Sequence, residues 1–83
     1  MTDTEILNMV VKNTAEVLRI APEKITPQSR FKDDLGADSL DLISLLMTLE
    51  QELDRSLPSE REASLVTVSD VVTFVKEQVG ATP

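Results

Sequence analysis

LVTVSDVVTFV, residues 65–75, decides the fold, because its valines and threonines suit a strand as readily as a helix. Three features favour helix. Thr67-Val68-Ser69-Asp70 has the spacing of a capping box, in which a Thr side chain and an acid three residues later each satisfy the other's free backbone N–H. Val68, Val71, Val72, Val75 and Val79 recur at intervals that mix threes and fours, which lines one helical face. Finally, no second strand exists for this segment to pair with, and a lone strand is not stable. The segment is therefore read as a helix running to about Gln78, carrying Phe74, one of only two aromatics, and followed by a frayed end at residues 79–83.

Working outward, the rest of the chain reads as helices joined by turns. Thr2 and Glu5 form another capping-box pair, and Ile6, Leu7, Val10, Val11, Val17 and Leu18 continue at helical spacing to about Arg19. Pro22 and Pro27 bias the residues before them away from helix, so residues 20–37 are expected to be mostly loop. Ile25, Phe31 and Leu35 are the apolar residues able to tack that loop onto a core. A second helix starts at Asp38 as N-cap, with Asp41 three residues on and Gly36 easing the turn before it, and runs to about Leu53. Leu57-Pro58 makes a turn, and residues 59–63 suit one short helical piece. The expected architecture is all-α: a small four-helix bundle of three longer helices and one short one, with a long loop between the first two, in a single domain spanning residues 1–83.

The second helix carries more apolar surface than one core contact needs. Leu42, Leu45, Leu46, Leu49 and Leu53 form one stripe; Leu40, Ile43 and Met47 form another. Either the helix is central and packed on two sides, or the second stripe faces a partner. Charge is concentrated in the same place. The net charge is -7, and residues 33–54 hold seven acids (Asp33, Asp34, Asp38, Asp41, Glu50, Glu52, Asp54) without a single base, while elsewhere acids and bases balance. Such a field repels nucleic acid and anionic lipid and steers toward basic protein surfaces.

Ser39 stands within this acidic segment, in DDLGADSLD at residues 33–41. As a nucleophile it lacks a base, since the chain contains no histidine, and its surroundings read GADSL rather than the strand-to-helix elbow of serine hydrolases. No catalytic residue is therefore expected. Cysteine is absent as well, and the acids do not follow the calcium-loop pattern, so no metal site is expected. The N-terminal residues show no basic leader followed by an apolar core, and apolar runs are short, which points to a cytoplasmic protein without a membrane span. What suits a serine in the first turn of a helix is modification: free N–H groups and the positive end of the dipole favour an attached phosphate. Asp38 and Asp41 oppose this by like charge, so a partner enzyme must bring compensating cations.

At these residues the chain resembles the discrete, bacterial type of acyl carrier protein. Asp34-Leu35-Gly36-Ala37-Asp38-Ser39-Leu40-Asp41 matches that family's D-L-G-A-D-S-L-D signature without a substitution, and the likeness extends through Met47, Glu50, the Pro58 turn and the T-V-S-D-V-V opening of the last helix. The resemblance implies a carrier rather than an enzyme. It implies that a phosphopantetheinyl transferase esterifies Ser39 with the 4'-phosphopantetheine of coenzyme A, and that acyl groups ride on the arm's thiol as thioesters. It places partner contacts at Asp38, Leu40, Asp41, Ile43, Met47, Glu50 and Asp54, facing basic surfaces on acyl-transferring, condensing and modifying enzymes, with the carrier a monomer. Fatty-acid synthesis is the leading setting; polyketide assembly, an aminoacyl or peptidyl carrier, and an unmodified acidic interaction module are the alternatives. Ser44 and Gln51 stand where that family commonly has acids, as do Ser59 and Arg61 after the helix, so the patch is less acidic toward its C-terminal end.

Overall fold

The structure is a computed structural model that describes residues 2–79. Three α-helices dominate it: α1 (Asp3–Leu18), α2 (Ser39–Leu53) and α3 (Val68–Val79). A short 3-10 helix, Ser59–Ser64, supplies the fourth, and a single 3-10 turn, Pro22–Lys24, interrupts the long loop. Among the described residues there is no strand, only one isolated bridge between Arg30 and Thr67. The all-α bundle is as the sequence predicts. Val79, read from the sequence as the first frayed residue, closes α3 and packs against the core, while residues 80–83 lie outside the described part.

Each helix begins where its cap is written. The Thr2 N–H donates to Glu5 Oε1 at 2.7 Å and the Glu5 N–H to Thr2 Oγ1 at 3.1 Å. That first bond holds the Glu5 carboxyl below its ordinary pKa. At α3 the Thr67 N–H reaches Asp70 Oδ2 and the Asp70 N–H returns to Thr67 Oγ1, so the doubtful segment is committed to helix by two reciprocal bonds. Helices α1 and α2 end differently, on the non-glycine residues Arg19 and Asp54, which adopt left-handed backbone with φ of 58° and 54°.

Helix α1 packs against both α2 and α3, and α2 packs against the 3-10 helix. The core holds Val10, Leu42, Leu45, Leu46, Leu49, Val68, Val71, Phe74 and Val75, all essentially inaccessible. Ile25 and Phe31 are buried with them and Leu35 is half-buried, so the long loop is anchored as its apolar spacing suggests. Three backbone bonds then sew the loop to the start of α3: Phe31 N–H to Val66 O at 2.9 Å, Val68 N–H to Ser29 O at 3.0 Å, and Ser69 N–H to Pro27 O at 2.9 Å. The loop thus behaves as a fixed strap that delivers the chain to α2.

Replacing Arg19 by glycine is expected to raise stability by about 1 kcal/mol, because an L side chain costs energy in left-handed backbone. Denaturant unfolding of Arg19→Gly beside wild type measures it; a loss of stability contradicts the reading.

Candidate functional site

The start of α2 is held from both sides. Before it, the strap turns back on itself: the Asp34 and Leu35 N–H groups donate to Arg30 O, and the Ala37 N–H donates to Phe31 O at 2.8 Å. Gly36 makes the reversal with φ of 70°, a conformation that glycine adopts without steric cost. Ala37 is buried, which pins the chain one residue before the cap. At the cap, the Asp41 N–H donates to Asp38 Oδ1 at 2.9 Å and the Asp38 N–H donates to Asp41 Oδ2 at 3.1 Å. The two motif carboxylates therefore hold the helix start with one oxygen each.

Ser39 is the first residue of α2, exposed, with no hydrogen bond to its hydroxyl among the described residues. Its own N–H and that of Leu40 also lack an acceptor in the described protein, as expected for a first helical turn. A phosphate ester on the hydroxyl fits this setting: the oxygen is accessible, two N–H groups stand free, and no side chain has to be displaced. The opposing term is the pair of aspartates beside it. Both are engaged in the cap.

The two apolar stripes of α2 separate cleanly. Leu42, Leu45, Leu46 and Leu49 are buried and Leu53 is half-buried, whereas Leu40 is 73% and Met47 55% exposed, with Ile43 between. Leu40 and Met47 are left uncovered by the rest of the described chain, and Ile43 is covered in part. Val66 is a further exposed apolar residue that the sequence reading did not single out; its carbonyl receives the Phe31 N–H.

Charge is distributed more narrowly than the sequence implies. Arg30 lies 3.5 Å from Asp33 and 3.7 Å from Asp34, and Lys12 of α1 lies 3.8 Å from Glu52. Among the described residues, no ion pair engages Asp38, Asp41, Glu50 or Asp54. These four are the acids already expected at partner contacts. The Arg30 pairing was readable from its spacing to Asp33 and Asp34 in a turn, while Lys12 comes from a distant helix and gave no sequence signal. Glu50 is less free than the others: it is half-buried and its Oε2 accepts the Leu57 N–H at 2.6 Å, holding the turn after α2. Among the described residues no group of acids is arranged to hold a metal ion, and no helix is long and apolar enough to cross a membrane.

Comparison with known proteins agrees with this geometry. Residues 10–75 match the family model described as a phosphopantetheine attachment site. The chain is 42% identical over 81 residues to the acyl carrier protein of Thermosynechococcus vestitus, covering 98% of this chain and 100% of that protein. It is also 42% identical over 78 residues to the acyl carrier protein of Phenylobacterium zucineum, covering 94% and 99% respectively. A helical bundle that matches a phosphopantetheine attachment model over residues 10–75 is a carrier of a covalently attached group. This chain belongs to the acyl carrier proteins, which hold acyl groups on 4'-phosphopantetheine and are not enzymes.

Removing the Glu50 carboxylate leaves the Leu57 N–H without its acceptor, so Glu50→Ala is expected to cost about 1–3 kcal/mol. Amide hydrogen exchange should accelerate at Leu57 in that variant. Unchanged exchange there contradicts a structural role for Glu50.

Proposed function

We propose that Ser39 is the attachment residue and that residues 1–83 act as one carrier domain, monomeric and cytoplasmic, delivering acyl thioesters to enzymes of fatty-acid synthesis. The observation that carries this reading is the exposed, unengaged hydroxyl of Ser39 at the start of α2, inside the intact DSLD sequence. In the loading step the Ser39 oxygen forms a bond to the phosphorus of the phosphopantetheine half of coenzyme A. The pyrophosphate P–O bond breaks, the adenine nucleotide half departs, and the hydroxyl proton passes to a base in the complex with the transferase. The bound arm supplies the thiol on which acyl groups are carried as thioesters. Asp38 and Asp41 make the reaction depend on an enzyme that brings cations to the site.

The docking face in this reading is Leu40, Ile43 and Met47, flanked by Asp38, Asp41, Glu50 and Asp54. Its partners are the phosphopantetheinyl transferase and the acyl-transferring, condensing and modifying enzymes, each with a basic surface to meet the acids. The two kinds of residue do different work. Apolar contact sets how long a complex lasts, whereas unpaired acids on the rim set how fast it forms.

Ser39→Ala should keep the helical content and melting behaviour of wild type while losing all loading by transferase; phosphopantetheine incorporated into that variant defeats the assignment. Met47→Ala is expected to weaken transferase binding by about tenfold with little dependence on salt, as for a buried anchor. Asp41→Asn retains a side-chain oxygen for the Asp38 N–H, so it removes charge and spares the cap; its effect should be confined to low ionic strength. Equal salt slopes for the two variants argue against this division of labour.

A further inference from the structure

Cysteine is absent, so the three methionines hold all the sulfur of the unloaded chain. Met1 lies outside the described residues, and the other two differ sharply in setting. Met9 is buried in the core at 5% exposure, whereas Met47 is 55% exposed on α2. Leu40, Met47 and Val66 are the large apolar residues left exposed among the described residues, and of these only Met47, as a thioether, is open to oxidation.

Met47 also lines an open groove of about 400 Å³ at the C-terminal end of α2, together with Glu50, Gln51, Asp54, Arg55 and Ser56. The groove has room for an added oxygen. Gln51 and Arg55, both exposed, bring N–H donors to it, and Arg55 uses only Nη1 in its bond to Gln78 O. Oxygen added at this sulfur therefore displaces nothing in the core. Glu50 and Asp54 outnumber Arg55 there, and the resulting negative field holds off anionic oxidants, so a neutral hydroperoxide is the matching reagent.

We propose that Met47 is a modification site at which a hydroperoxide reversibly weakens partner docking. This rests on the docking face of Leu40, Ile43 and Met47 given above. In the step itself the sulfur lone pair forms a bond to one peroxide oxygen as the O–O bond breaks, and the proton on the transferred oxygen passes to the departing hydroxide. Sulfur is oxidised by two electrons to the sulfoxide, and hydrogen peroxide is reduced to water. A thioether loses its water at little cost when a partner covers it, but a sulfoxide oxygen is a strong acceptor that an apolar contact leaves unpaired. Leu40 and Ile43 give apolar contact without this sensitivity, so Met47 alone in the stripe can be turned polar. Methionine sulfoxide reductases return the thioether, which makes the change reversible.

The test treats unloaded wild type and Met47→Leu with hydrogen peroxide; peptide mapping locates the added oxygen, and the thermal midpoint checks the fold. Met47 should take up oxygen well before Met9, with the midpoint unchanged. Loading of the oxidised wild type by a broad-specificity phosphopantetheinyl transferase should then fall about thirtyfold in kcat/KM, the effect of one buried acceptor left without a partner. Reductases for both sulfoxide epimers should restore it. Met47→Leu, compared with its own untreated rate, should lose nothing. Met9 oxidised as fast as Met47, an undiminished rate once Met47 is oxidised, or an equal loss in Met47→Leu overturns the proposal, while loading of untreated wild type upholds the carrier reading. No loading of untreated wild type, with a control carrier loaded in parallel, overturns the Ser39 assignment and this proposal together.

Discussion

The reciprocal bonds between Asp38 and Asp41 are the constraint on which the functional end of this molecule depends. A helix start has free N–H groups that must be capped or solvated, and here two neighbouring aspartates cap each other's backbone. Because the cap lies on side chains that flank Ser39, the serine itself is released from structural duty and its hydroxyl stands unengaged. The acids that make phosphate attachment electrostatically unfavourable are therefore the same acids that make the serine available. In the proposed reading, a serine set between two aspartates is loaded only by an enzyme that brings positive charge to it.

The cap is only as well placed as the chain that leads into it. Phe31 is buried, its N–H is bonded to Val66, and its carbonyl receives the Ala37 N–H, so one loop residue connects the start of α3 to the start of α2. Ala37 then leaves no slack before the cap. Downstream, the buried leucines of α2 set its rotation, which in turn leaves Leu40 and Met47 facing solvent on the same helix as the serine. Local capping sets where α2 begins, and core packing sets which way it faces. Neither alone produces an accessible serine beside an apolar face.

Much of this was legible because it is local. The capping boxes at Thr2, Asp38 and Thr67 place the helix starts to within a residue, and the spacing gives both stripes of α2, while the choice between packing on two sides and an exposed second stripe is made only by the structure. The helix over residues 68–79 was the hardest reading, and Asp70 resolves it: its carboxylate engages the N–H groups of both Val66 and Thr67. What was not legible depends on contacts between distant segments. The sequence shows seven clustered acids, but only the fold brings Lys12 to Glu52. Likewise, nothing in the sequence singles out Asn13 and Thr14, and only packing reveals that both are inside and that Thr14 has no hydrogen-bond partner among the described residues.

The central claim is that the exposed hydroxyl at the start of α2 carries the prosthetic arm. The most direct measurement is intact mass of the wild-type chain before and after incubation with coenzyme A, magnesium and a broad-specificity phosphopantetheinyl transferase, with peptide mapping of the product. The account predicts the gain of one phosphopantetheine, located on the peptide containing Ser39 and on that residue within it. A folded chain that gains no mass while a control carrier is loaded, or a gain located on another residue, would contradict it.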